Sequence, residues 1–133
     1  MRYAISYVSS ASKKLNDSEV EEVLKRTQDW NNEHDVTGLL LYSEGNFFQI
    51  IEGEKNVVKD LFESIERDPR HQNLIKIFER DIHRESFDGY ESDFVMEETK
   101  YDSEKVQSYL NHIKVLDPAS QESVKNILAI FLR

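Results

Sequence analysis

The chain has 133 residues, no cysteine and a formal net charge of −9. This length is enough for one domain with a core of its own. The lack of cysteine excludes disulfides, thiolate zinc sites and thiol nucleophiles, and the four scattered histidines predict no metal site. The acidity argues against nucleic acid or a membrane as partner, and the first residues resemble neither a signal peptide nor a membrane span. We therefore expect a cytoplasmic protein.

The first half of the sequence predicts a strand, a helix and a hairpin. Residues 2–9 alternate polar with apolar, as in a strand. Asn16 or Asp17 can cap a helix that carries one inward stripe. That stripe consists of Val20, Val23, Leu24, Thr27 and Asn31. Two apolar strands follow at 39–43 and 47–51, joined by a tight turn through residues 44–46.

The next segment predicts a second helix and two more strands. Gly53 is expected to end the hairpin strand, and residues 54–67 form a helix that Pro69 terminates. Its inward residues are Val57, Val58, Leu61, Phe62 and Ile65. Residues 70–73 are predicted to be a polar connection, 74–82 a fourth strand, and part of 90–96 a fifth. The order β-α-β-β-α-β-β predicts an α+β, ferredoxin-like fold with both helices on one face of the sheet.

Residues 97–133 are predicted to form a two-helix extension of this core, which spans 1–96. An acidic hinge at 97–100 precedes two apolar helical stripes. The first contains Val106, Tyr109, Leu110 and Ile113, and the second contains Val124, Ile127, Leu128 and Phe131. Because the core helices occupy one sheet face, we expect the extension to cover the other face or to contact a second subunit.

Two amides stand on otherwise apolar faces. Gln49 lies between large apolar residues of the hairpin, and Asn31 is the last residue of its helical stripe. A buried amide without a partner costs about 1–3 kcal/mol. Asn31 is also compatible with a helix C-cap or a solvated last turn, and Tyr7, Asn31 and Gln49 could satisfy one another in an internal network.

A slot for a flat heteroaromatic ligand is the sharper hypothesis. Amides both donate and accept, so Asn31 and Gln49 match a ring edge of alternating carbonyl and N–H groups. The Tyr7 phenol could supply an electron and a proton. Arg70 and His71 could reach the ring or a phosphate, although such a pair is also common on solvated surfaces.

These residues resemble the BLUF family, blue-light sensors that use FAD. The resemblance covers residues 1 to about 90. It is carried by Tyr7-Val8-Ser9, by Asn31 six residues before Thr37-Gly38, by the hairpin run TGLLLYSEGNFFQIIEG and by Asp68-Pro69-Arg70-His71-x-Asn73. It implies that FAD lies between the two core helices. It also implies a photoreceptor rather than an enzyme, acting through a homo-oligomer or a separate protein effector.

The resemblance also implies roles for the polar residues. Tyr7 matches the redox tyrosine, Asn31 the flavin-anchoring asparagine, and Gln49 the glutamine that rearranges on illumination. Arg70 and His71 match positions near the flavin ring. On this basis we expect Tyr7 and Gln49 to be the photochemical pair.

One departure concerns the fifth strand, where the family usually carries Trp-x-Met. In ungapped register those positions are Tyr90 and Ser92, while an aromatic-x-Met occurs four residues later at Phe94-Val95-Met96. The departure affects signal transmission rather than flavin binding. The sole tryptophan, Trp30, is instead expected to pack in the core.

Two other classes of function compete with the photoreceptor. A non-photoactive interaction module could use the same fold, since fold does not fix function. A small acylphosphatase-like hydrolase would need an anion-binding glycine-rich loop and an arginine near the first strand. Arg2 stands too early for that role, and no such loop follows Tyr7.

Overall fold

The computed structural model describes residues 2–12, 16–43, 45–82, 90–94 and 117–131. Its elements are β1 (Arg2–Ala11), α1 (Asp17–Glu33), β2 (Thr37–Ser43), β3 (Asn46–Glu54), α2 (Lys55–Arg67), β4 (His71–Ile82), β5 (Tyr90–Phe94) and α3 (Pro118–Phe131). This order confirms the predicted β-α-β-β-α-β-β core. The predicted hinge at 97–100 and the helix containing Val106 lie outside the described residues.

The five strands form one sheet in the order β4-β1-β3-β2-β5. Neighbours are antiparallel except β2 and β5, which run parallel. Tyr7 lies opposite Gln49, Gln49 opposite Leu40, and Leu40 opposite Ser92. One row of backbone positions therefore crosses four strands and places Gln49 near the middle of the sheet.

Local capping explains where both core helices begin. Asn16 and Glu19 form a reciprocal capping box, in which the Glu19 N–H donates to Asn16 Oδ1 at 2.9 Å and the Asn16 N–H donates to Glu19 Oε1 at 3.2 Å. Glu54 begins α2 by accepting hydrogen bonds from the N–H groups of Asn56 and Val57. The predicted starts of both helices are thus confirmed to within one residue.

Alternation along the strands separates two cores, one on each face of the sheet. The core under α1 and α2 contains Tyr3, Ile5, Tyr7, Leu40, Phe47 and Ile51 from the strands, packed on Val20, Val23, Leu24, Val58 and Phe62 from the helices. The opposite core contains Ala4, Leu39, Leu41, Phe48, Ile50, Phe78 and Val124. Both core helices therefore lie on one face, as predicted.

Helix α3 packs on the opposite face, as the apolar stripe of the second terminal helix predicts. Val124 is fully buried there and Ile127 packs beside it. At the start of α3, Asp117 accepts the Ser120 N–H at 3.1 Å and lies 2.6 Å from Arg80 on β4. These contacts fix the beginning of the helix against the sheet. In the part of the protein described, no helix combines the length and the apolar character that crossing a membrane requires.

Three sequence expectations are wrong. Gly53 does not end its strand, because its backbone still pairs with Tyr3 and β3 continues to Glu54. Residues 71–73 are not a connection but the first part of β4, which follows β1 through register shifts next to Val8. Trp30 does not pack in the core and is 41% exposed.

Gly38 sets how closely β2 approaches β3 beside Gln49. Its φ is +142°, and a Cβ at this position would lie 1.9 Å from the carbonyl oxygen of Ile50. Only a residue without a side chain fits such a contact with backbone. The close approach of β2 to β3 therefore explains why position 38 is a glycine.

Candidate functional site

A cavity of about 300 Å³ opens between α1 and α2 above the sheet. Leu40, Gln49 and His71 contribute from the sheet. The two helices and the segment after α2 supply the rest of the lining, namely Val23, Arg26, Thr27, Trp30, Asn31, Leu61, Ser64, Ile65, Asp68 and Arg70. Four of the five predicted site residues, Asn31, Gln49, Arg70 and His71, thus border one space.

Tyr7, the fifth, lies next to that space and contacts Gln49. The Tyr7 hydroxyl donates a hydrogen bond to Gln49 Oε1, and both side chains are buried. Ser6 Oγ donates to the backbone carbonyl of Gln49 at 2.9 Å. The phenol therefore occupies the carbonyl end of the amide, so its Nε2 end is directed away from the phenol.

Asn31 is unusual because its side-chain amide is buried without a hydrogen bond to any described residue. It is 1% exposed, and within the described residues neither amide atom of its side chain has a hydrogen-bond partner. Its backbone carbonyl, rather than its amide group, accepts the N–H groups of His34 and Val36 as α1 ends. Neither helix capping by this amide nor an internal network with Tyr7 and Gln49 therefore accounts for it. Both amide atoms are therefore available for hydrogen bonds to a ligand.

His71 is the first residue of β4 and lies against the aromatic core. Its Nδ1 is 2.8 Å from Ser9 Oγ, and its ring centroid is 4.7 Å from that of Phe47 and 5.9 Å from that of Tyr7. Burial lowers the pKa of His71 to about 4, despite the opposing effect of the Asp68 carboxylate. The imidazole is therefore neutral at pH 7.

Arg70 is engaged by a carboxylate at the edge of the cavity. Its Nη2 lies 2.5 Å from Asp68 Oδ2, and its Nε donates to both oxygens of Asp68. The contact lowers the pKa of Asp68 and raises that of Arg70. With 45% of the arginine side chain exposed, the pair contributes little to stability, and a phosphate could exchange with the carboxylate.

Sequence reasoning missed several lining residues. Leu61 and Ile65 pack against the core, as their predicted inward orientation requires, but they are only partly buried and also line the cavity, which was not predicted. Arg26 and Trp30 were not predicted to be site residues at all. The position of Trp30 directly before Asn31 was the available signal that Trp30 borders the site. It was interpreted as core packing because tryptophan is, on average, a highly buried residue.

We expect the stability of the protein to fall as the pH drops from 6.5 toward 4. A histidine in the unfolded chain has a pKa near 6.5, whereas that of folded His71 is about 4. Between these two pH values His71 is therefore protonated in the unfolded state but not in the folded state. Between pH 7 and pH 4.5 this should lower the free energy of unfolding by about 2 kcal/mol. Urea unfolding at both pH values measures it. The variant His71→Gln should lose that part of the pH dependence, and an equal decline in both proteins would contradict the assignment.

The protein is similar to known light-sensing proteins. Residues 3–93 match the BLUF family, described as sensors of blue-light using FAD. The sequence is 38% identical over 58 residues to the blue light- and temperature-regulated antirepressor BluF of Escherichia coli strain K12, which covers 44% of this chain and 14% of that protein. It is 29% identical over 73 residues to the photoactivated adenylate cyclase subunit beta of Euglena longa, covering 55% of this chain and 8% of that protein. The chain thus spans a small part of these relatives.

Solved structures agree with the fold. The photo-activated state of BlsA superposes with a TM-score of 0.70 at 27% identity, covering 99% of this chain and 95% of that one. Klebsiella pneumoniae BlrP1 superposes with a TM-score of 0.79 at 20% identity, covering 97% of this chain and 34% of that one, which supports the fold alone.

The fold and the cavity are those of a small ligand-binding domain. Because the family match covers more than half of its length, the chain belongs to the BLUF family of blue-light sensors that use FAD. The residues present fit this cofactor. Asn31 offers a buried donor and acceptor without a partner among the described residues, and Leu61, Ile65 and Val23 provide apolar walls for a flat ring. FAD would also account for the two buried amides in the cavity wall.

Proposed function

We propose that this protein is a photoreceptor rather than a turnover enzyme, with Tyr7 and Gln49 as its photochemical pair. Asn31 and Gln49 would hold the flavin ring in the cavity between α1 and α2, and His71 and Arg70 would border it. The observation that carries the proposal is the buried hydrogen bond between Tyr7 and Gln49, next to an Asn31 side chain without a described partner.

The proposed chemistry begins at the Tyr7 hydroxyl. When bound, FAD supplies a ring that absorbs blue light and becomes a strong one-electron oxidant. Tyr7 would be the donor of one electron and of its phenolic proton to the excited ring, and Gln49 Oε1 would be the first group on the path of that proton because it already accepts the hydroxyl hydrogen bond. Both the electron and the proton would return to Tyr7, so no residue would be oxidised at the end of the cycle.

The lasting structural change would be at the side-chain amide of Gln49. While the phenolic proton is absent, Oε1 loses its donor and the amide can rotate or tautomerise. In its new arrangement the amide would donate a hydrogen bond to a carbonyl of the bound ring that it does not donate in the dark, and this bond would lower the transition energy of the ring. The expected result is a small red shift that decays in darkness.

The output would leave the site through the sheet. Gln49 is opposite Leu40, and Leu40 is opposite Ser92 on β5, while α3 covers the far face. We propose that the changed sheet is recognised in the cytoplasm by a separate effector protein or a second copy of the protein, and not by nucleic acid. Residues 97–133 would be an extension of the flavin-binding core, 1–96, rather than a second domain.

Replacing Asn31 by Ala tests the anchoring role. The variant leaves polar atoms of the ring edge unpaired, so the Kd for FAD should rise by about 5- to 150-fold, equivalent to about 1–3 kcal/mol. Titration of apo-protein with FAD measures this. Asn32→Ala is the matched control, because Asn32 is the next residue on α1 but is exposed. Equal affinity in the Asn31 and Asn32 variants would exclude Asn31 as an anchor.

A further inference from the structure

Trp30 presents an exposed indole at the mouth of the cavity. It is 41% exposed and belongs to the cavity wall. Its ring stacks on that of His34, with centroids 3.8 Å apart and planes inclined by 11°. His34 Nδ1 also lies 2.7 Å from the Trp30 carbonyl oxygen. Local contacts on α1, rather than the core, therefore hold the two rings in a fixed stack.

The cavity is too small for a whole dinucleotide. Its volume of about 300 Å³ is at the lower end of the range that encloses a drug-sized ligand. Asn31 and Gln49 are the buried polar residues of its wall, so a flavin ring bound to them would fill it. The adenosine part of FAD must then lie outside, on the surface around the mouth.

The outer edge of α1 offers groups suited to that part of the ligand. Arg26 lies one turn before Trp30 on the same side of the helix and also borders the cavity. Its Nη2 is 2.5 Å from Glu22 Oε1, with 73% of the arginine side chain exposed. Such an exposed pair is weak, so a phosphate could replace the carboxylate. A ligand that extends out of the cavity along this edge would meet both a cation and an aromatic stack.

From this arrangement we propose that the Trp30–His34 stack is the adenine-binding platform of the site. It would make the protein selective for FAD over FMN, which has the same ring system but no adenosine. The proposal rests on the proposed function, since it requires a flavin in the cavity. Stacking of a base on an aromatic side chain strengthens binding by about 5- to 150-fold, and at an exposed position we expect about tenfold.

The test compares two ligands across three proteins. Apo-protein of the wild type, of Trp30→Ala and of Trp30→Phe is titrated with FAD and, separately, with FMN. Trp30→Ala should weaken FAD binding about tenfold and leave FMN binding unchanged, because FMN has no adenine to stack. Trp30→Phe should retain most of the preference, since it keeps an aromatic face. The Kd for FMN reports in each variant whether the cavity is intact.

The outcomes separate this proposal from the function on which it rests. If Trp30→Ala weakens FAD and FMN by the same factor, Trp30 is part of the cavity wall and the platform is wrong. If FAD binding does not change, the platform is also wrong, although the photoreceptor stands. Failure of the wild type to bind either flavin would overturn both.

Discussion

Gln49→Leu should bind flavin and give no red shift in blue light. Leucine has nearly the volume of glutamine, so the buried position between β1 and β2 stays filled. It can neither accept the Tyr7 hydroxyl nor donate to the bound ring. The measured quantity is the difference spectrum before and after illumination. We expect the amplitude of the shift to fall below detection. The Kd for flavin should rise by no more than about tenfold, because only one hydrogen bond is lost.

Gln72→Leu is the matched control for this variant. Gln72 is an exposed glutamine on β4 and borders neither Tyr7 nor the cavity. It should keep the wild-type shift and its dark recovery. A normal, reversible shift in Gln49→Leu would remove the glutamine from the mechanism.

Tyr7→Phe should abolish the shift as well, by removing the electron and proton donor. The substitution deletes one hydroxyl and leaves the aromatic contacts of Tyr7 with Phe62 and His71 in place. Gln49 Oε1 loses its described donor, and a buried polar atom left in this way costs about 1–3 kcal/mol. The fold should survive that loss. Flavin fluorescence should rise, since a quenching donor has been removed.

Tyr3→Phe provides the control for Tyr7→Phe. Tyr3 is on the same strand and in the same core, but its hydroxyl donates to Glu79 Oε2 at 2.7 Å, away from Gln49. Burial and Glu79 raise the pKa of this phenol to about 12. Tyr3→Phe should therefore retain the full light response. Equal loss of response in both variants would point to a general effect of removing a buried hydroxyl from β1.

The fold could be predicted from the sequence because its signals are local. Alternation identified β1, two apolar runs around a turn identified the hairpin, and a capping residue placed the start of α1. The same patterns made Asn31 and Gln49 conspicuous, because each is an amide where the period demands an apolar residue. Tyr7 could be added because the topology places β1 beside β3.

Features that depend on long-range pairing could not be predicted in the same way. His71 to Asn73 have the composition of a loop, yet they extend β4 because β1 offers an unpaired edge and shifts of register accommodate them. No local pattern reports this pairing of His71 and Gln72 with β1. Trp30 is a different case, because its contact is local: it was expected in the core since its size favours burial, but its ring stacks on that of His34, four residues further along the chain.

The register of β5 bears on the departure from the usual Trp-x-Met. Ser92 occupies the row of Gln49 and Leu40, whereas Phe94 lies two positions further, opposite Tyr42. Met96 falls outside the described residues. In backbone register, Ser92, the ungapped equivalent of the family's Met, is therefore the β5 residue in line with Gln49. We expect coupling between Gln49 and β5 to involve Ser92.

The absorption spectrum of the purified protein, recorded in the dark, after blue light and again after dark recovery, tests the account most directly. We predict a yellow protein with a flavin band that shifts slightly to the red on illumination and returns in darkness, because the Tyr7 and Gln49 hydrogen bond is broken and restored. A protein that stays colourless after incubation with FAD, or one whose bound flavin shows no reversible shift, would contradict the account and favour an interaction module without photochemistry.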